Sequence, residues 1–120
     1  MRVARRAARP RLPALRAARG PDLTRPAGLA DLDDIDAVFG ALAHETRRHV
    51  LLVLHARGGA MTAGALAERF ACSWPTVTRH LQRLLDAGLV VVERRGRERW
   101  YALDGARLRA VSALYLSAFE

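Results

Sequence analysis

From residue 29 onward, the apolar positions of this chain recur at intervals that change from helical to extended and back. Leu32, Ile35, Val38, Phe39 and Leu42 repeat at three- and four-residue spacing, which puts them on one face of a helix. Asp31, Asp33, Asp34 and Asp36 crowd its N-terminal end, where the helix dipole favours carboxylates. A second helical run covers His44–Arg57, with Val50, Leu51, Val53 and Leu54 inside it, and stops at Gly58-Gly59. Thr62 is placed to cap a short third helix over Ala63–Phe70, whose Ala65, Leu66 and Phe70 face the core. Ser73 is placed to cap a fourth over Trp74–Ala87, ended by Gly88. Pro75 is tolerated there because first-turn N–H groups have no partner inside the helix.

The period then switches. Leu89–Arg94 is β-branched and extended, Arg95-Gly96 offers a turn, and Arg97–Leu103 returns with Tyr101 and Leu103 on one face. Leu108, Val111, Leu114, Tyr115 and Phe119 define a last amphipathic helix. The expected fold class is mainly α with a β-hairpin wing, in the order α-α-α-α-β-β-α. A helix, a short turn and a second helix followed by a hairpin is a winged helix-turn-helix.

Composition sharpens this picture once the charge is located. All 20 basic residues of the 120-residue chain are arginine, and the formal net charge is +8. The first 28 residues carry +7 of it and residues 29–120 only +1. Within the body, residues 29–72 carry −2 and residues 73–100 carry +3. The body is therefore polarised, with its positive part at the fourth helix and the hairpin. Residues 1–28 are Arg, Ala, Pro and Gly with few large apolar side chains, too little to offset chain entropy, and read as a disordered leader. Four readings of it stand open: a solvated tail, an upstream extension of the gene model, a basic arm on phosphates, or a targeting peptide. Residues 29–120 read as one folded domain. The longest apolar runs are far too short to span a bilayer, so a cytoplasmic protein with no membrane partner is expected.

Four stretches, in order, resemble those of the ArsR/SmtB bacterial repressors. Ala41-Leu-Ala-His-Glu-Thr-Arg-Arg-His-Val-Leu51 is similar to the family's opening helix. Leu66-Ala-Glu-Arg-Phe-Ala-Cys-Ser-Trp-Pro-Thr-Val-Thr-Arg-His-Leu81 is similar to its turn and recognition helix. Leu85-Asp-Ala-Gly-Leu-Val90 and the stretch from Gly96 to Leu103 are similar to its wing. The resemblance implies a homodimer joined by the first and last helices, with each recognition helix in a DNA major groove. Leu32, Ile35 and Phe39 on the first helix, and Leu108, Val111, Leu114 and Tyr115 on the last, are the dimerisation residues expected on that basis. The function implied is a sequence-specific repressor on an inverted-repeat operator. The alternative is a protein-interaction module that keeps the fold without reading DNA.

On a helical wheel, Leu81 and Leu84 fall within about 40° of Val77 and anchor the fourth helix on the core. Pro75, Arg79, Gln82 and Asp86 fall opposite, flanked by Thr76 and Arg83 on one side and Thr78 on the other. Base edges need donors, acceptors and methyl groups near the start of such a helix, and Thr76, Thr78 and Arg79 supply them. Ser73, Trp74, Pro75, His80 and Arg83 complete the helix's candidate DNA contacts; Arg94, Arg95, Arg97 and Arg99 on the wing are candidates for phosphate or the minor groove. The bland reading of each arginine is a solvated face. Trp74 is poised between packing on the core and facing the groove, and His80 between a helix–helix contact and a phosphate. Arg47 and Arg48 read as structural, in ion pairs or as caps.

No sensor or catalytic set emerges. His44, His49 and His55 are spaced by five and six residues, whereas two ligands on one helical face want three or four. The single cysteine, Cys72, sits in the turn, reads as a buried core thiol, and excludes a disulfide within the chain. No metal, no cofactor and no enzymatic activity are expected, and any small-molecule inducer is unidentified.

Overall fold

Eight elements follow one another in residues 32–120, the part of the chain that the computed structural model describes. They are α1 (Leu32–Leu42), α2 (Glu45–Arg57), β1 (Met61–Thr62), α3 (Ala63–Phe70), α4 (Trp74–Asp86), β2 (Val90–Arg95), β3 (Glu98–Leu103) and α5 (Gly105–Ser117). The expected leader, residues 1–28, lies outside the described residues. The five helices and the β2–β3 wing match the expected architecture. The strand β1 is an addition to it: Met61 and Thr62 pair antiparallel with Tyr101 and Trp100, giving a three-stranded sheet in the order β1-β3-β2. A two-residue strand has no period of its own, so only its partner strand reveals it.

Local chemistry sets the boundaries. The side chains of Thr62 and Ser73 accept hydrogen bonds from the Ala65 and Thr76 amides, capping α3 and α4 as expected. His44 stands outside α2 and caps it instead of joining it, its Nδ1 accepting from the Thr46 amide at 3.1 Å. Helix α4 ends in a Schellman turn: Gly88 takes φ +79° while the Leu89 amide donates to the Leu84 carbonyl and the Gly88 amide to Leu85. The buried Leu84 and Leu89 supply the apolar contact that accompanies this motif. The wing turn is Gly96-Arg97, one residue later than the sequence pattern placed it. Gly96 adopts φ +63° at the first central position, where a two-residue hairpin loop needs a positive φ.

The core lies where the helices meet the inner face of the sheet. Val38, Val50, Leu54, Leu66, Val77, Leu81, Leu84, Leu89 and Val90 are fully buried, each worth about 1.5–3 kcal/mol of transfer free energy. Two polar devices hold α1 in place. Arg47 is buried, its Nε donating to the Ala41 carbonyl at 2.7 Å and a terminal nitrogen to Gly40, while Arg48 donates to the Leu42 carbonyl at 2.8 Å. Both arginines therefore cap the C-terminal end of α1, where cations are favoured. At the other end, Asp34 accepts from Arg107 of α5 at 2.6 Å, and Arg107 Nε donates to Ala87 at the end of α4. This buried pair ties three helices together.

The dimerisation residues expected on α1 and α5 divide in two. Ile35 and Val111 are buried in the chain's own core, with little surface left for a partner, because α1 and α5 pack on each other within one protomer. Leu32, Phe39 and Leu108 are half-buried, while Leu114 and Tyr115 are exposed, along with Leu116 and Phe119. An edge-to-face stack of Phe39, Tyr115 and Phe119 forms the aromatic part of this surface.

Candidate nucleic-acid interface

Helix α4 is anchored by one face and bare on the other. Val77, Leu81 and Leu84 are buried and Leu85 is half-buried; Pro75, Thr78, Arg79, Gln82, Arg83 and Asp86 are exposed and Thr76 is half-buried. The wheel placed these two faces correctly, since 3.6-residue periodicity is a property of the helix alone. On the bare face the polar groups are linked. Ser73 Oγ donates to Thr76 Oγ1 at 3.0 Å, and a terminal nitrogen of Arg79 donates to the same oxygen at 3.4 Å. The chain Ser73–Thr76–Arg79 orients the guanidinium along the first two turns, leaving its other nitrogens free to donate outward. Gln82 donates to Asp86 at 2.8 Å one turn later.

Trp74 is 64% exposed, yet its indole has a seat. A Cβ built on Gly64 of α3 would fall 2.5 Å from the ring, so the indole lies directly on the glycine backbone. The expected packing is present in part: the benzo ring lies against α3 while most of the side chain stays exposed. Gly64 was missed in the sequence; its signal is a glycine inside a short helix, which marks close approach of another group. The ring forms one wall of a cleft of about 530 Å³ that continues past Thr78 to Arg97 and Arg99 on the wing. Glu68 and Glu98 also line this cleft, which tempers its attraction for phosphate.

His80 makes a helix–helix contact. Its ring lies 4.5 Å from that of His44, and its Nδ1 is 3.5 Å from a terminal nitrogen of Arg47. Burial, and then the neighbouring His44, Arg47 and Arg79, hold the imidazole below its ordinary pKa. Arg47 is also held below its ordinary value, by burial first and by Arg83 second.

The wing arginines are unequal. Arg95 is engaged on the wing itself, 4.6 Å over the Trp100 ring and 3.2 Å from Glu93. Arg94 and Arg99 are exposed and directly opposite each other in the ladder. Like charges in that position repel, and an anion between them would relieve the repulsion. Arg97 is exposed at the turn.

Cys72 is half-buried against the core, with its thiol near the Phe70 carbonyl at 3.4 Å. Among the described residues, no three His, Cys, Asp or Glu side chains converge as metal ligands. No described helix is long and apolar enough to cross a membrane.

Comparison with known proteins meets this geometry. Residues 42–93 match the family model HTH_20, a helix-turn-helix domain. The chain is similar to the transcriptional repressor SdpR of Bacillus subtilis (strain 168), 40% identical over 67 residues that cover 56% of this chain and 72% of that one. It is also similar to the arsenical resistance operon repressor of Staphylococcus aureus, 31% identical over 75 residues, or 62% of this chain and 70% of that one. Among solved structures, an ArsR-like transcriptional regulator from Rhodococcus sp. RHA1 superposes with a TM-score of 0.60 at 33% identity, over 68% of this chain and 76% of that one. The homodimeric winged helix-turn-helix DNA-binding domain of Mb0332 from Mycobacterium bovis, a possible ArsR-family regulator, also gives a TM-score of 0.60. It is 28% identical, over 79% of this chain and 92% of that one.

Proposed function

Since this chain belongs to the ArsR family of winged helix-turn-helix transcriptional regulators, we propose that it is a homodimeric cytoplasmic repressor whose two α4 helices read the half-sites of an inverted-repeat operator. The observation that carries this reading is the bare face of α4, where Thr76, Thr78 and the oriented Arg79 stand clear of the core. Arg79 pairs with a guanine edge through two hydrogen bonds, the two threonines offer hydroxyls and methyls to neighbouring bases, and Arg83 contacts phosphate. The Ser73–Pro75 turn approaches the backbone, and Trp74 offers an apolar face to thymine methyls. His80 acts from behind, by holding α4 against α2. Arg94, Arg97 and Arg99 bind phosphate along the flanking groove; Arg95, engaged by Trp100 and Glu93, contributes charge more than contact.

The exposed apolar surface of α5 and the turn after it, with Leu114, Tyr115, Leu116 and Phe119, supports pairing of two copies, and the Mycobacterium bovis domain of the same fold is homodimeric. The family's members act as regulators, and no enzymatic role is proposed here. Residues 29–120 are the DNA-binding and dimerisation unit.

Selection from a random duplex library tests the reading. Wild-type protein enriches an inverted repeat. Arg79→Ala loses about 10- to 100-fold in affinity for it, equivalent to roughly 1–3 kcal/mol of base discrimination, while its binding to unrelated duplex is nearly unchanged. Unchanged sequence preference in the variant refutes the assignment of α4 as the reading helix. A library that yields no enriched sequence favours a protein-interaction role for the fold.

A further inference from the structure

On the flank of the molecule that α4 does not use, an apolar groove of about 480 Å³ runs between α2 and the start of α5. Its apolar lining is Leu42, Leu51, Leu52, Leu103 and Leu108. Leu52 is 64% exposed, an uncommon position for a leucine on a helix surface that His49, His55 and Arg57 otherwise make polar. The polar lining is entirely basic or neutral. Arg48, Arg109, His49 and His55 line the groove, and no carboxylate does among the described residues.

The two arginines lie at the groove's edge. Arg48 is tied by one nitrogen to the Leu42 carbonyl at 2.8 Å, which leaves the rest of its fork available. Arg109 folds over Gly105, whose missing side chain makes the room: a Cβ there would lie 3.3 Å from a terminal nitrogen of Arg109. The groove is of the size at which proteins hold small ligands, and its make-up is the usual one, mostly apolar with a few oriented polar groups. Apolar walls select a hydrocarbon body, and a one-sided positive lining selects an anion.

We propose that this groove binds a small amphipathic carboxylate, its chain on the leucines and its head group on Arg48 and Arg109. The groove also touches the elements that matter to a regulator: Leu42 ends α1, Leu103 ends the wing strand β3, and Leu108 lies on α5. A ligand seated there bridges the dimerisation helices and the wing, and so acts as an effector; this regulatory role rests on the function proposed above, whereas the binding does not.

The test separates the two. Titration calorimetry on the full chain without DNA uses hexanoate, octanoate and decanoate, with decanol and inorganic phosphate as probes of body and charge alone. Saturable binding is expected to tighten by about two- to fourfold per added methylene. Phosphate alone does not bind. Arg109→Gln weakens decanoate by about tenfold or more and leaves decanol unchanged, whereas Leu52→Asn weakens both. Circular dichroism confirms that each variant is folded. Absence of saturable decanoate binding, or binding that neither variant alters, overturns the proposal. So does a loss of dimer mass in Leu52→Asn, since a second copy then occupies the groove. A drop in operator affinity on adding decanoate is the regulatory readout. Decanoate binding that leaves operator affinity unchanged overturns the effector role alone, and a protein that binds decanoate but no DNA retires the repressor reading alone.

Discussion

Replacing Asp34 by alanine removes one half of the buried pair that joins α1, α4 and α5. Asp34 and Arg107 are 2.6 Å apart with side chains 12% and 15% exposed, so neither charge is well solvated. Deleting one partner of a buried pair costs about 3–5 kcal/mol, because the other charge is left without compensation. Residual water at both ends lowers this to roughly 2–3 kcal/mol here. Arg107 also donates to the Ala87 carbonyl at 3.3 Å, a neutral acceptor that does not replace the lost carboxylate charge. For a domain of this size each kcal/mol is worth about 4–8 °C, so Asp34→Ala is expected to melt roughly 10–20 °C below wild type. Thermal denaturation followed by circular dichroism measures this at fixed protein concentration, because a dimer's melting point depends on concentration. The double variant Asp34→Ala/Arg107→Met removes both charges and is expected to recover part of the loss, as apolar replacements of buried pairs do. A single variant that melts within about 3 °C of wild type, or a double variant less stable than the single, refutes the view that this pair braces the helices.

Three further outcomes follow from the same geometry. Gly64→Ala drives a methyl into the Trp74 indole, 2.5 Å away; the ring must swing off its seat, so library selection is expected to return an altered operator preference with the fold intact, and an unaltered one means that Trp74 does not touch bases. Ala71, in the turn before α4, holds φ +50°, the one positive-φ non-glycine among the described residues; Ala71→Gly relieves a cost of about 1 kcal/mol and raises the melting temperature by a few degrees, less the entropy that glycine gives the unfolded chain. His80 has a folded-state pKa below its unfolded value of about 6.5, so the unfolded chain takes up its proton first as pH falls. Its contribution to stability is complete above that pH and is lost below it. Melting curves between neutral and mildly acidic pH are therefore expected to fall more steeply for wild type than for His80→Gln.

What the sequence determined by itself was whatever one or two turns of chain can settle. Helical spacing separated the buried Val77, Leu81 and Leu84 from the bare Thr78 and Arg79. Ser73, Thr62, Gly88 and Gly96 marked ends and turns, since caps and positive-φ positions act on neighbouring backbone groups alone. Four family-like stretches in order did the rest for the fold class. The tertiary structure decided everything that depends on which distant groups meet. It placed Arg47 and Arg48 on the end of α1 and Asp34 on Arg107, and it buried Ile35 and Val111 in the chain's own core. It drew Arg95 down onto Trp100 and made a strand of Met61 and Thr62. Trp74 shows the division most clearly: the wheel put it on the apolar flank, between Leu81 and Leu85, and only Gly64, ten residues back in the chain, shows that its ring rests on backbone while most of the side chain stays exposed. Periodicity is local physics and can be read in one dimension; a contact between remote residues exists only once the chain has closed the loop between them.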